Sequence, residues 1–222
     1  IPGTPEGVVA IEASIFAGVP VNVTLLFSAA QYQAAAEAYL RGIERRVAAG
    51  LDPKVSSVAS LFVSRWDVAA NKRLPGALHN RLGIAVAAQT YRAYRELLAA
   101  PRWHQLASAG AHVQRLLWAS TGTKDPAAPD TLYVEALAAP DTINTLPEKT
   151  LFAFSDHGKV QPSLQGDGGD TTIAQCREAG IDIDALAEQL QREGAESFSQ
   201  SWAKLLDNLA GKAKAAPGKA AA

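Results

Sequence analysis

Short runs of β-branched and apolar residues alternate along this chain with longer helical patterns, which is typical of an α/β fold with a parallel sheet. The helical stretch 29–49 is rich in alanine and stops at a glycine, and the stretch 82–99 ends shortly before a proline. The sequence therefore predicts helices over these two stretches and strands over residues 19–27, 55–63, 115–120 and 141–145.

The first seven residues, IPGTPEG, are typical of a loop that leads from the end of a strand into a helix. Gly3 allows a close approach of the backbone, Thr4 can cap the helix, and Pro5 suits the first helical turn. With a strand end before Ile1, the chain has about four and a half strands, whereas a closed (β/α)₈ barrel needs eight and typically about 250 residues. Since the sequence also lacks methionine, we expect it to be a piece of a longer protein.

Composition narrows the class of protein. A net charge of −1 gives no electrostatic footprint for nucleic acid or an anionic membrane surface. The single cysteine, Cys176, excludes an internal disulfide framework and is typical of a reducing compartment. No apolar run approaches the roughly 20 residues of a membrane span. We expect a soluble, cytoplasmic protein without nucleic-acid or membrane partners.

The carboxyl-terminal part has two features of organisation. Residues 1–210 are expected to form the folded unit, and the low-complexity segment 211–222 (GKAKAAPGKAAA) is predicted to be a disordered tail. The last helix carries an apolar face that we expect to pack against the rest of the protein. This face consists of Phe198, Trp202, Leu205, Leu206 and Leu209.

Two polar residues interrupt the first predicted strand. Asn22 and Thr24 stand two positions apart, so both should point to one face, while Val21, Val23 and Leu25 point to the other. Strands buried on both faces are normally almost entirely apolar. The pair is therefore either a set of satisfied polar groups in the core or part of a functional site at the end of the strand, and we favour the second.

Further polar groups follow the next two strands. Ser60, Phe62 and Ser64 should share one face, and Arg65 comes just after the strand, where it can bind a phosphate bidentately or form a salt bridge with Asp67. The loop after the third strand, STGTK from Ser120 to Lys124, could cradle a phosphate, although it lacks the spacing of a Walker loop. The four histidines show no metal-ligand spacing, so no metal site is expected.

Several segments, taken together and in order, resemble the transaldolase family. They are IPGTPEGVVAIE at the start, VNVTLLFS (21–28), VASLFVSRWD (58–67), LWASTGTKDPAAPDTLYVEAL (117–137) and DTINTLPEKTL (141–151). The resemblance covers essentially the whole chain except the tail. It implies a (β/α)₈ TIM barrel of the class I aldolase type, present here as a partial barrel of about the last four to five strand–helix units.

The resemblance also implies an activity and roles for individual residues. The family transfers a dihydroxyacetone unit from a ketose phosphate to an aldose phosphate through a lysine Schiff base, without a metal or an organic cofactor. The implied roles are a water-holding residue at Thr24, hydroxyl-binding residues at Asn22 and Ser60, phosphate-binding residues at Arg65, Ser120 and Lys124, and a pocket wall at Phe62. In some relatives an arginine serves near the position of Lys124.

The same resemblance places the Schiff-base lysine one residue before Ile1, and we expect the 222 residues alone to be inactive. The expected partners are small-molecule sugar phosphates, with a homodimer as the candidate assembly. Two alternatives stay open: a related Schiff-base fructose 6-phosphate aldolase, which releases dihydroxyacetone, and a non-catalytic half-barrel that binds sugar phosphates.

Overall fold

The computed structural model describes residues 1–160, 164 and 168–215, without the side chains of residues 213–215. Its sheet has four parallel strands in the order β1-β2-β3-β4, so each strand lies beside the next one along the chain. The predicted α/β fold with parallel strands is therefore confirmed. The strands are β1 (Val21–Leu26), β2 (Ser57–Phe62), β3 (Gln114–Ala119) and β4 (Thr142–Asn144).

Helices connect these strands and pack on the sheet. Two short 3₁₀ turns, Asn71–Arg73 and Gly76–Leu78, lie between α3 and α4. The helices are α1 (Pro5–Phe16), α2 (Ala29–Ala48), α3 (Ser64–Ala70), α4 (Leu82–Ala99), α5 (Pro101–Ser108), α6 (Leu132–Ala136), α7 (Glu148–His157), α8 (Asp170–Glu178) and α9 (Ile183–Ala215). None of the helices in the described ranges combines the length and the apolar character that a bilayer crossing requires.

The first residues form a strand end, as the opening sequence predicts. Pro2 pairs in parallel with Thr24 of β1, and Gly3 N–H donates to Thr24 O at 2.8 Å. The Thr4 hydroxyl then accepts from Gly7 N–H and caps α1, which has its proline in the first turn. Residues 1–3 therefore extend the sheet beyond β1.

The main core lies between one face of the sheet and helices α1, α2 and α4. Alternate residues of each strand enter it, because successive side chains of a strand point to opposite faces. The opposite face of β1 carries Asn22 and Thr24, and that of β2 carries Ser60 and Phe62. The strand residues of the core are Val21, Val23, Leu26, Ala59, Leu61, Leu116 and Trp118.

A β-bulge near the end of β1 changes the predicted alternation. The pairing with β2 shifts between Val23 and Leu26, and Leu25 has a φ of +58°. The prediction that Leu25 shares the face of Val21 and Val23 is wrong, because the extra residue moves Leu26 into that core cluster instead. Leu25 joins a second buried cluster that includes Trp66 and residues of α8 and α9.

The last helix differs from its prediction. Only its first part is packed, and the apolar face expected to be buried is 45% exposed at Phe198 and 62% exposed at Trp202. Every residue from 196 to 212 is exposed, and Leu205, Leu206 and Leu209 are among them. The helix continues to Ala215, into the segment 211–222 predicted as a tail, and residues 216–222 lie outside the described part.

Candidate active site

Asn22 and Ser60 meet across the first two strands on the face opposite the main core. The Ser60 hydroxyl donates to Asn22 Oδ1 at 2.8 Å, and Ser60 is buried while Asn22 is exposed. Thr24 lies on the same face, and its hydroxyl makes no hydrogen bond with any residue that the structure describes. The three residues present an amide and two hydroxyls, which suit hydrogen bonds to the hydroxyl groups of a sugar.

The carboxyl ends of β2 and β3 bring two serines together. Ser64 is the first residue of α3 rather than part of the strand, and its Oγ lies 2.9 Å from Ser120 Oγ. Its backbone N–H donates to Ser120 O at 3.0 Å. Ser120 has a φ of +56°, a conformation that non-glycine residues rarely adopt and that clusters at functional sites.

Arg65 follows Ser64 on the first turn of α3. Its guanidinium carbon lies 4.9 Å from the centroid of the Phe62 ring, and it forms no ion pair with any described residue. The alternative, a salt bridge between Arg65 and Asp67, does not form among the described residues. The Asp67 carboxylate is buried and accepts hydrogen bonds from Leu82 and Tyr133 instead. Arg65 is therefore available to a bidentate anion such as a phosphate.

The loop after β3 also carries Lys124. Asn80 Nδ2 donates to Asp125 Oδ2 at 2.6 Å, and Asp125 Oδ1 accepts from Ala127 N–H, so both carboxylate oxygens of the residue that follows Lys124 are hydrogen-bonded. A Cβ atom on Gly122 would lie 3.8 Å from Lys124 Nζ, which places the amine against this loop. The loop therefore carries a cation beside the Ser120 strand end.

Asp67 was assigned only as a salt-bridge partner by the sequence reasoning. Its Oδ1 accepts from the N–H groups of Leu82 and Gly83 at the start of α4, and its Oδ2 accepts from the Tyr133 hydroxyl at 2.7 Å. Burial raises the pKa of Asp67, although these three hydrogen bonds act in the opposite direction. Asp67 therefore links helices α3, α4 and α6 through buried hydrogen bonds.

Two residues of α9 beside the site escaped the sequence reasoning. Gln191 is buried, and its Nε2 donates to Gly3 O and to Leu25 O, both at 3.0 Å. A Cβ atom on Gly194 would lie 3.2 Å from Arg65 Nη1. The sequence did contain one signal for Gln191. It directly follows Leu190, which lies on the buried face of the helix together with Leu186, so a polar side chain beside them is expected to be buried and hydrogen-bonded.

Comparison with known proteins identifies the family of the chain. The sequence model of the family described as transaldolase/fructose-6-phosphate aldolase matches residues 1–209. The chain is 44% identical over 220 residues to a transaldolase of Parafrankia sp. (strain EAN1pec), covering 94% of this chain and 60% of the relative. It is 45% identical over 219 residues to a transaldolase of Thiobacillus denitrificans, covering 94% of this chain and 61% of the relative.

A third relative, transaldolase 1 of Streptomyces avermitilis, is 45% identical over 221 residues, covering 95% of this chain and 58% of the relative. The chain thus spans about 60% of the length of the curated relatives that it matches. The strand-end site and a match over almost the entire chain lead to one assignment: the chain belongs to the transaldolase/fructose-6-phosphate aldolase family.

Proposed function

We propose that this chain is part of a transaldolase of the non-oxidative pentose phosphate pathway. The complete protein transfers a dihydroxyacetone unit from sedoheptulose 7-phosphate or fructose 6-phosphate to glyceraldehyde 3-phosphate or erythrose 4-phosphate. The observation that carries the proposal is the pairing of Asn22 with Ser60 on the face that also carries Thr24. Phe62 lies on the same face of β2 as Ser60, and its ring is in contact with an arginine that has no acidic partner among the described residues. Sugar hydroxyls and a phosphate require these two kinds of group.

The chemistry begins with a lysine amine that adds to the ketone of the donor sugar. We propose that this lysine precedes Ile1 and that the 222 residues alone are inactive. Loss of water gives an iminium, which accepts the electron pair when the carbon–carbon bond breaks. Proton transfers accompany each step, and Thr24 is proposed to hold the water that carries them.

The remaining residues are proposed to bind the sugar. Asn22 and Ser60 hydrogen-bond the hydroxyls of the three-carbon unit, and Phe62 forms a wall of the pocket. Arg65, with Ser120 and Lys124 from the loop after β3, binds the phosphate at the far end. Binding energy from the remote phosphate can then be used to orient the reacting carbon.

The test is a transfer assay on the complete protein with fructose 6-phosphate, run with and without erythrose 4-phosphate. A transaldolase should form sedoheptulose 7-phosphate and release little free dihydroxyacetone when the acceptor is absent. Free dihydroxyacetone at an acceptor-independent rate would instead indicate the fructose 6-phosphate aldolase activity, which the family description also includes. Binding without either reaction would indicate a non-catalytic sugar-phosphate-binding protein.

We also propose that the complete protein is a cytoplasmic homodimer. The cytoplasmic location is supported by the buried free thiol of Cys176, which is typical of a reducing compartment. The dimer is supported by the exposed apolar face of α9, which a second copy could cover. Sedimentation equilibrium of the complete protein should give twice the mass of its chain, and Trp202→Ser should shift the equilibrium toward the monomer. A monomer at micromolar concentration would contradict the assembly.

A further inference from the structure

Helix α9 reaches the candidate site through one buried amide. The two hydrogens of Gln191 Nε2 bridge the carbonyls of Gly3 and Leu25, which belong to adjacent parallel segments of the sheet. The bulge at Leu25 interrupts the ladder of β1, and Gly3 is the last residue before the cap of α1. Without Gln191, both buried carbonyls would lose this donor, which is costly in a water-free environment.

A primary amide suits this position for a chemical reason. Two acceptor oxygens require two N–H donors on one short neutral group, and among uncharged side chains only glutamine and asparagine provide them. The hydrogen bonds fix how far residues 1–3 stand from the end of β1. Thr24 lies within the same pairing, since its N–H donates to Ile1 O at 2.9 Å and its carbonyl accepts from Gly3.

One turn further along α9, Gly194 faces the phosphate-binding side of the site. A Cβ atom there would lie 2.8 Å from Leu25 Cδ2 and 3.2 Å from Arg65 Nη1. Leu25 is fully buried, so it has little space into which it could move. The absence of a side chain at Gly194 lets the helix backbone approach both the bulge and the guanidinium.

We propose that Gln191 and Gly194 are positioning residues for the reaction. Gln191 sets the spacing between Thr24 and the segment that follows the lysine, and Gly194 leaves room for Arg65 in its phosphate-binding position. This inference rests on the proposed function. Helix α9 would then position residues of the active site, in addition to packing against the core.

The experiment measures kcat and KM of the complete protein with fructose 6-phosphate and erythrose 4-phosphate. Gln191→Met keeps the length of the side chain and removes both donors, so kcat should fall about tenfold or more while KM changes less than about threefold. Gly194→Ala should raise KM for fructose 6-phosphate about threefold or more, with a smaller effect on kcat, because it displaces the phosphate-binding arginine.

Two substitutions on the same helix are matched controls. Gln189→Met removes an exposed amide that bonds only to Glu193, and Gly211→Ala adds a Cβ that meets no atom within 4 Å. Both should leave kcat and KM unchanged. If Gln191→Met behaves like Gln189→Met, or Gly194→Ala like Gly211→Ala, the inference is wrong. Here kcat is calculated per active site, counted by borohydride trapping, because a purely structural role would lower only the fraction of active enzyme and would leave this kcat and KM unchanged.

Two measurements without turnover separate this inference from the proposed function. Hydrogen exchange at the amides of Gly3 and Thr24 should accelerate in Gln191→Met and not in Gln189→Met. The affinity for inorganic phosphate, measured by calorimetry, should fall in Gly194→Ala and not in Gly211→Ala. An unsubstituted protein without either sugar reaction would overturn the proposed function, whereas variants that match their controls in both measurements would overturn the positioning role.

Discussion

Replacing Tyr133 by phenylalanine should destabilise the protein through one buried oxygen. The Tyr133 hydroxyl is the only hydrogen-bond donor to Asp67 Oδ2 among the described residues, at 2.7 Å. The other carboxylate oxygen accepts from Leu82 and Gly83. Asp67 is 1% exposed and Tyr133 is 2% exposed, so water has little access to the oxygen that would be left without a donor.

The magnitude follows from the type of hydrogen bond that is lost. The ring stays in place, so the substitution creates almost no cavity, and the cost is that of an unpaired oxygen on a buried charged group. Such losses amount to about 1.5–3 kcal/mol of unfolding free energy. Asp67→Asn should cost less than about 1 kcal/mol, because the amide can keep the contacts to α4 and donate to the Tyr133 hydroxyl, which can also accept.

The effect of Asp67→Asn on the unfolding free energy should depend on pH, and the direction of this dependence can be derived. Because burial raises the pKa of Asp67 above its ordinary value of 3.8, the folded protein holds this proton more tightly than the unfolded chain. The stability contributed by the protonated carboxyl is present below the ordinary pKa and is lost as the pH rises through the folded-state value. Asparagine does not titrate, so the unfolding free energy of Asp67→Asn relative to the unsubstituted protein should increase from about pH 4 to about pH 7.

Urea unfolding of the complete protein, followed by circular dichroism at both pH values, measures these differences. The reasoning predicts that Tyr133→Phe is more damaging than Asp67→Asn at pH 7. A cost of less than about 0.5 kcal/mol for Tyr133→Phe, or a larger cost for Asp67→Asn, would refute the buried-carboxylate account.

Two further substitutions test the site and the surface. Arg65→Gln should raise KM for fructose 6-phosphate about tenfold or more in steady-state assays, with a much smaller change in kcat. The exposed control Arg81→Gln should leave both constants unchanged. Equal KM values for the two variants would contradict the phosphate-binding role of Arg65. Arg102 lies 2.6 Å from carboxylate oxygens of both Glu37 and Glu44 but is 39% exposed, so Arg102→Gln should cost less than about 1 kcal/mol in urea unfolding. The loss of unfolding free energy caused by Arg102→Gln should be smaller in 1 M salt, because the salt screens the ion pairs over a Debye length of about 3 Å. A loss that does not change with salt would contradict its electrostatic origin.

Much of the sheet could be predicted from local sequence. The run VNVTLLF and its counterparts are rich in β-branched residues, and the observed strands lie within the predicted ones except at Gln114, one residue earlier. The placement of Asn22 and Thr24 on one face followed from the two-residue period of a strand. These features depend on neighbours in the chain, which is why a single sequence reveals them.

Other features depend on residues that are far apart in the chain. The bulge at Leu25 inserts one residue without a distinctive composition, so a regular period cannot anticipate it. The contact of Gln191 with Gly3 spans 188 positions. The exposed face around Trp202 has the same spacing as a packed one, because amphipathic periodicity shows that a helix has an apolar side and not what covers it.

Reductive trapping followed by peptide mapping tests the central proposal most directly. Borohydride added to the complete protein with fructose 6-phosphate should reduce the iminium to a stable secondary amine, and mass spectrometry should locate the dihydroxyacetone-derived adduct on a lysine immediately before Ile1. Arg65→Gln should need more fructose 6-phosphate for the same extent of labelling. No adduct, or an adduct on a lysine within these 222 residues, would contradict the Schiff-base mechanism proposed for this site.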